Sequence, residues 1–155
     1  MSAPRIRPST GAAELPELVA IWRTAVAATH HFLSDADRAE IESRLESDYL
    51  PAVDLSVAER DGHAVGFSGV LDGRLEMLFV AADERGSGIG TALLRHAIHE
   101  KSVTEVDVNE QNPSATGFYL SRGFDVVGRS ETDDAGRPYP LLHLRLRDSQ
   151  GATEG

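Results

Sequence analysis

Between about Ala13 and Ala28 the apolar residues Leu15, Leu18, Val19, Trp22, Ala25 and Val26 recur at spacings of three and four, which predicts a first helix with one buried stripe. Ahead of it, Arg5 to Pro8 predicts a short edge strand that the proline ends. Ser34 with Asp37 three positions on has the form of a helix start, and a second helix carrying Ile41 and Leu45 should run toward Pro51. Three strand-like runs follow, Asp54–Glu59, Ala64–Leu71 and Arg74–Val80, separated by Asp61-Gly62 and Asp72-Gly73. Asp-Gly between alternating apolar runs is a hairpin signal, so this stretch should be an antiparallel meander. A third helix over Thr91–Lys101 and a short strand over Glu105–Val108 then form a strand-helix-strand unit, which favours a parallel pair within a mixed sheet. Asn112-Pro113 opens a fourth helix that Gly123 stops, and strands over Phe124–Arg129 and Leu141–Arg147 complete the pattern.

Composition narrows what such a chain does. A length of 155 residues suits one well-cored domain, expected over residues 1–147, with the small polar run 148–155 as a frayed tail. The formal net charge of −10 argues against a general nucleic-acid binder, which gains affinity by neutralising phosphates with clustered Lys and Arg. Absence of cysteine excludes disulfides and thiolate metal sites, and no apolar run has the length of a signal peptide core or a membrane span. The expectation is a cytoplasmic protein with no membrane partner. No metal is expected either, because His96 and His99 read as the outer face of a helix whose inner face is Leu93, Leu94, Ala97 and Ile98.

The chemistry concentrates in Leu75–Lys101, where an apolar strand passes through Arg85-Gly86-Ser87-Gly88-Ile89-Gly90-Thr91 into a helix. Glycines let an oxygen-rich ligand approach the backbone, and the helix start adds unpaired N–H groups and a fractional positive charge. A P-loop needs Gly-Lys before Ser or Thr, whereas Gly90 is followed directly by Thr91. A dinucleotide fingerprint lacks its third glycine, which falls at Thr91 or Leu93, although Asp107 stands about 20 residues on, where a ribose-binding acid would. The pattern Arg/Gln-x-x-Gly-x-Gly/Ala is met by Arg85, Gly88 and Gly90.

With that turn, the strand before it, Asn109 and Asn112 after the next strand, and Gly117-Phe118-Tyr119 ahead of Gly123-Phe124, the chain resembles the GNAT superfamily of acetyl-CoA-dependent N-acetyltransferases over nearly its whole length. The runs Asn109–Phe124, Ala28–Ser34 and Gly136–Leu141 are similar to those of small single-domain bacterial acetyltransferases of poorly defined substrate. The resemblance implies an α/β fold: a mixed, mostly antiparallel twisted sheet of six to seven strands, flanked by about four helices, with a splayed parallel pair at its centre. It also implies that the CoA pyrophosphate lies on the backbone of Gly86, Ser87, Gly88, Ile89, Gly90 and Thr91, with Arg85 and Arg122 adding charge. The pantetheine arm would pair with main-chain groups of Leu78, Phe79 and Val80, and Asn109 and Asn112 would bond to the pantetheine or acetyl group. Asn112 already has a local role as helix cap, whereas Asn109 has less local reason to be there.

Acetyl transfer to an amine requires a neutral nucleophile and a proton for the departing thiolate. The GNAT pattern assigns the thiolate's proton to Tyr119, which periodicity alone would put in the core beside Phe118. Glu76, two residues before Leu78, would share that residue's face and could take the amine proton through water; a solvent-facing carboxylate is the plainer reading. His30, His31 and His143 are other candidates for the base. Trp22, Thr29, His30, Phe32 and Tyr139 would wall the acceptor pocket, and each is equally readable as packing. The expected activity is transfer from acetyl-CoA to a primary amine of a small molecule or peptide. An acyl-CoA-binding or regulatory module without turnover is the alternative. Many relatives of this kind form homodimers, and nothing in the sequence marks an interface.

Overall fold

The computed structural model describes residues 3–29 and 31–147. Its described residues form two compact units, one running through Val103 and the other from Thr104 onward.

In the first unit, strands β1 (Arg5–Pro8), β2 (Asp54–Arg60), β3 (His63–Leu71) and β4 (Arg74–Val80) pair antiparallel in chain order. Both Asp-Gly dipeptides make the expected turns. Asp61 and Gly62 have φ of 54° and 81°, and Asp72 and Gly73 have 51° and 79°, the left-handed pairs whose twist suits a two-residue hairpin. Helices α1 (Leu15–Thr29), α2 (Asp35–Arg44) and α3 (Ile89–Lys101) complete the unit. Ser34 caps α2 as its sequence predicts, its Oγ accepting from the Asp37 N–H at 3.1 Å. The stretch toward Pro51 continues from α2 as a wider π-type turn over Leu45–Tyr49.

Strand alternation sorts the apolar residues into two clusters. Leu15, Leu18, Trp22 and Val26 of α1 meet Val57 and Phe67, with Met77 and Phe79 packed against them. Ala58, next to Val57 on β2, joins Val65, Ile89 and Leu93 in the other cluster, with Leu78 and Val80 alongside. The second cluster is unusually close to the strand backbone. A Cβ built on Gly66 would lie 3.0 Å from both the Ile89 side chain and the Phe79 carbonyl oxygen, tighter than ordinary contact, so a larger residue there would press α3 away from the strand. The far end of α3 is tied to β2 by Lys101 and Asp54 at 2.8 Å.

The second unit contains β5 (Glu105–Asn109), α4 (Pro113–Leu120), β6 (Phe124–Ser130) and β7 (Leu141–Leu146). Here β7 lies between β5 and β6, antiparallel to both. Val106, Val108, Phe124 and Leu144 are buried. The turn between β6 and β7 is organised by Asp133, whose carboxylate accepts from the N–H groups of Ala135 and Arg137 at 3.0 and 2.8 Å.

Near the chain's beginning, Arg7 joins two carboxylates that local periodicity does not link. Its guanidinium reaches Glu14 at 2.6 Å and Glu59 at 2.6 Å, and Glu14, buried to 7 % exposure, also accepts from the Thr10 N–H at 2.9 Å. The bond from Arg7 is the main cause holding the Glu14 carboxyl below the usual carboxylate range. A depressed folded-state pKa stabilises the fold above the unfolded value of about 4.3, and that contribution disappears as pH falls through the folded value. Arg7→Met should therefore cost about 1.5–3 kcal/mol at pH 7 by leaving the Glu14 carboxylate without its charged donor. Denaturant unfolding repeated down to pH 3 should show the gap between wild type and variant closing as Glu14 takes up its proton.

Candidate active site

The glycine turn is built on β4 and held from three directions. Ala81 N–H donates to the Val65 carbonyl at 2.9 Å, continuing the β3–β4 ladder by one residue. The next amide, Ala82, donates to Thr24 Oγ1 at 3.2 Å, and that hydroxyl donates to the Ile21 carbonyl at 3.0 Å. Glu84 accepts from Arg60 at 2.6 Å, with the Arg60 side chain almost wholly buried. Thr24 and Arg60 are thus supports of the turn that the sequence does not reveal, since they lie 58 and 24 residues from their partners.

Beyond these supports the backbone turns through the left-handed region at Gly86, φ 82°, and Gly88, φ 88°. A Cβ at either position would meet no heavy atom within 4 Å, so the turn faces open space. Ala92 N–H donates to the Gly88 carbonyl at 3.0 Å, closing the first turn of α3, and the amides ahead of it lie at the open end of the helix. The first turn carries no acidic side chain. Arg85 is exposed and forms no ion pair among the described residues. Such a turn fits a phosphate or pyrophosphate group: N–H donors, a helix dipole, room for oxygen atoms and a nearby cation. Ile89 is buried and Thr91 half-buried, so the anion-facing elements there are main chain. Leu78, Phe79 and Val80 likewise commit their side chains to the two clusters, Phe79 lying 5.7 Å from the Phe67 ring.

In the second unit Asn112 is buried and caps α4, its Oδ1 accepting from the Ala115 N–H at 3.2 Å, with Pro113 at the first helical position. Asn109 has a local role after all: its Oδ1 accepts from the Gln111 N–H at 2.8 Å and its carbonyl from the Asn112 N–H at 3.0 Å. Tyr119 is buried, edge-on to Phe118 at 5.1 Å and to Phe124 at 5.8 Å. Burial pushes its phenol pKa well above the usual value, and no described residue hydrogen-bonds its hydroxyl. Arg122 donates to the Phe118 carbonyl at 3.1 Å and to Ser121 Oγ at 2.7 Å, its guanidinium 3.9 Å from the Phe118 ring centre. That geometry engages it at the end of α4.

Other expected residues fall in different surroundings. Glu76 is exposed at a bulge: Gly69 pairs with Met77 and Val70 with Leu75, so alternation breaks at Glu76 and its face does not follow from Leu78. Trp22 lies in the α1 cluster at 3 % exposure. Thr29 bonds back to the Ala25 carbonyl at 2.8 Å, Phe32 is half-buried and Tyr139 is buried. His31 is exposed, with Nε2 3.1 Å from the Ala28 carbonyl; His30 lies outside the described residues. His96 departs from the expected outward orientation. Its Nδ1 is buried without a hydrogen-bond partner among the described residues, and the residue as a whole is half-buried. Among the described residues no three His, Asp or Glu side chains are grouped to hold a metal ion, and no helix is long and apolar enough to cross a membrane.

A side-chain network in the second unit crosses all three of its described strands. His143 on β7 has Nδ1 2.7 Å from Asp107 Oδ1 on β5 and Nε2 2.6 Å from Ser130 Oγ on β6. The sequence marks His143 as a candidate base and Asp107 only by its spacing from the glycine turn, and it does not join either to Ser130, because the register that brings them together is not visible in one dimension.

An acetyltransferase (GNAT) domain model matches residues 17–140, a span running through both units, and the chain belongs to the GNAT acetyltransferase family. It is thereby an enzyme of the N-acetyltransferase class. The chain is 50 % identical over 129 residues to the peptidyl-lysine N-acetyltransferase YjaB of Salmonella typhimurium, covering 83 % of this chain and 88 % of that protein. The solution structure of the apo form of YjaB from Escherichia coli superposes with a TM-score of 0.85 at 44 % identity, covering 94 % of this chain and 98 % of the other. An N-acetyltransferase, PaiA, from Thermoplasma acidophilum, solved in complex with coenzyme A, shares the fold at a TM-score of 0.71 and 19 % identity, over 93 % of this chain and 99 % of that one. The expected GNAT fold is therefore the fold of this chain, with seven strands and four α-helices among its described residues.

The left-handed backbone at Gly88 makes a stability prediction independent of any ligand. Gly88→Ala should lower the unfolding free energy by about 1–2 kcal/mol, although its methyl group has open space, because an L-residue there is strained. Denaturant titration of the two proteins measures it.

Proposed function

We propose that the chain transfers an acetyl group from acetyl-CoA to a primary amine, with the lysine side chain of a peptide as its principal acceptor and residues 1–147 acting as one catalytic domain. The observation that carries the donor half is the left-handed turn through Gly86 and Gly88 opening α3 onto unfilled space. The acceptor half draws support from the name of the relative 50 % identical to this chain, a peptidyl-lysine N-acetyltransferase.

Bound acetyl-CoA supplies an activated acetyl thioester. The amides of Gly86 to Thr91 hold its pyrophosphate, Arg85 adds positive charge, and the main chain of Leu78 to Val80 pairs with its pantetheine arm. Arg122, Asn109 and Asn112 flank the same cofactor in this reading, the asparagines chiefly by shaping the turn into α4. Thr29, His30, Phe32, Tyr139 and the buried Trp22 shape the acceptor side. Tyr119 stabilises and protonates the departing thiolate. Like any tyrosine phenol it is protonated near neutral pH and so in the donating form, and burial raises its pKa further. Glu76, exposed at the β4 bulge, is a carboxylate able to accept the amine's proton through water.

The test is thiol release from acetyl-CoA in the presence of a lysine peptide. Tyr119→Phe should retain acetyl-CoA affinity and fold, with stability within about 0.5 kcal/mol because its hydroxyl bonds no protein group, while kcat falls on the order of 100-fold. Unchanged turnover would remove Tyr119 from the mechanism. Tight acetyl-CoA binding with no thiol release on any amine would instead identify an acyl-CoA-binding module.

A further inference from the structure

Asp107, His143 and Ser130 sit in line across β5, β7 and β6, all within the second unit. Strand register sets the line: Asp107 is directly opposite His143, and Gly128 faces His143 from the other side. A Cβ on Gly128 would lie 3.4 Å from His143 Cδ2, so the imidazole passes over a glycine to reach Ser130, two residues on. The pairing of β6 with β7 shifts between Val126 and Gly128, a bulge after which Ser130 stands opposite Leu141 with its Oγ 2.6 Å from Nε2.

The arrangement fixes the tautomer. An ionised carboxylate only accepts hydrogen bonds, so Nδ1 carries the proton toward Asp107. Nε2 of the neutral ring then presents a lone pair to the Ser130 O–H. A hydroxyl on one imidazole nitrogen, with a carboxylate holding the other, is the arrangement that activates serine as a nucleophile, and it is defined by geometry and not by order in the chain. Ser130 is half-buried, and the side chains of His143 and Asp107 keep exposures of 35 % and 18 %, so the line is open to solvent.

The next row of the same face supplies room for a substrate. Glu105 and Arg145 lie two residues from Asp107 and His143, about 7 Å along their strands, and Asp125 is opposite Arg145. A groove of about 530 Å³ opens there, and Thr104, Val127 and Leu146 line it with those three. Its charges are paired, Arg145 with Glu105 at 3.4 Å and Arg147 with Asp125 at 2.8 Å, while Val127 offers apolar surface at 61 % exposure. Such a lining suits an uncharged acyl compound better than an ionic one. β6 is the last strand of its sheet, so alternate main-chain N–H groups on its far edge have no strand partner among the described residues, and such groups are donors for a developing oxyanion.

We propose that Ser130, His143 and Asp107 form a second site in this chain, one that hydrolyses short, uncharged carboxylic esters through an acyl-serine and does not use acetyl-CoA. Ser130 Oγ attacks the ester carbonyl as its proton passes to His143 Nε2. The C–O bond to the alcohol breaks, and the departing oxygen takes that proton. Water then attacks the acyl-serine while giving a proton to Nε2, the acyl–Oγ bond breaks, and Ser130 regains the proton as the carboxylic acid leaves. Ser130 and His143 are the catalytic residues of this site; Asp107 is a positioning residue that holds the imidazole tautomer.

The experiment treats the full chain with an alkyl fluorophosphonate, which bonds to an activated serine with loss of fluoride, and locates the adduct by peptide mass spectrometry; hydrolysis of p-nitrophenyl butyrate measures turnover. The adduct should fall on Ser130, with the chain's other serines, Ser87 and Ser121 among them, as unmodified internal references. His143→Gln should slow both labelling and hydrolysis on the order of 100-fold. Asp107→Asn should slow labelling by a similar factor without changing the probe concentration that half-saturates it, a loss of rate without loss of binding that a purely structural carboxylate would not give. Ser130→Ala removes a single oxygen; it should abolish the adduct and the ester hydrolysis while leaving acetylation of a lysine peptide from acetyl-CoA unchanged. Labelling of Ser130 no faster than that of the other serines overturns the proposal, as does labelling indifferent to His143→Gln or ester hydrolysis that survives in Ser130→Ala. Where the histidine variant folds poorly, the wild-type adduct and Asp107→Asn decide the question. Loss of peptide acetylation in Ser130→Ala overturns the independence of the two sites.

Discussion

Helix α3 lies against β3 at Gly66, where a Cβ would come within 3.0 Å of the Ile89 side chain, and this close contact governs where the helix can begin. Depth of packing fixes where the helix begins; the strand hands over the chain at Val80, so the backbone must turn sharply in the few residues between. Gly86 and Gly88 accomplish that turn in the left-handed region, and the same conformation leaves the amides of the first helical turn facing outward. The open turn arises here from a packing requirement and a chain-reversal requirement met together.

The supports of that turn are polar and distant in sequence. Thr24 on α1 and Arg60 on β2 hold Ala82 and Glu84, so the first helix and the meander determine the position of a loop to which neither is adjacent in the chain. In the second unit the corresponding work is more local. Asn109 and Asn112 build consecutive turns that start α4, and α4 then buries Tyr119 between Phe118 and Phe124. Burial there raises the phenol's pKa above its ordinary value.

Charge is distributed in keeping with this division. The chain is strongly acidic overall, yet α3 begins without a carboxylate and with Arg85 beside it, so an anion meets local attraction inside a repulsive whole. Elsewhere carboxylates are tied to arginines, most tightly at Arg7, where two of them are held together. The Asp107 carboxylate differs in taking an imidazole, that of His143, where those take a guanidinium.

Most of the fold and the glycine turn were legible in the amino-acid order because they rest on short-range rules. Apolar spacing marked α1, Asp-Gly marked both hairpins, Ser34 and Asn112 marked helix starts, and the Arg85–Gly90 pattern marked the turn. Glu76, Asn109 and His96 show where such rules stop: a bulge interrupts alternation, an Asx turn occupies an asparagine, and a ring nitrogen that periodicity put outside is buried. The Asp107–His143–Ser130 line lies furthest from sequence reading. Its members are separated by 13 and 36 residues from one another along the chain and meet only through the register of three strands. Local backbone preference is written in neighbouring residues, whereas register, burial depth and side-chain proximity are set by the packing of segments far apart, and those the tertiary structure alone decided.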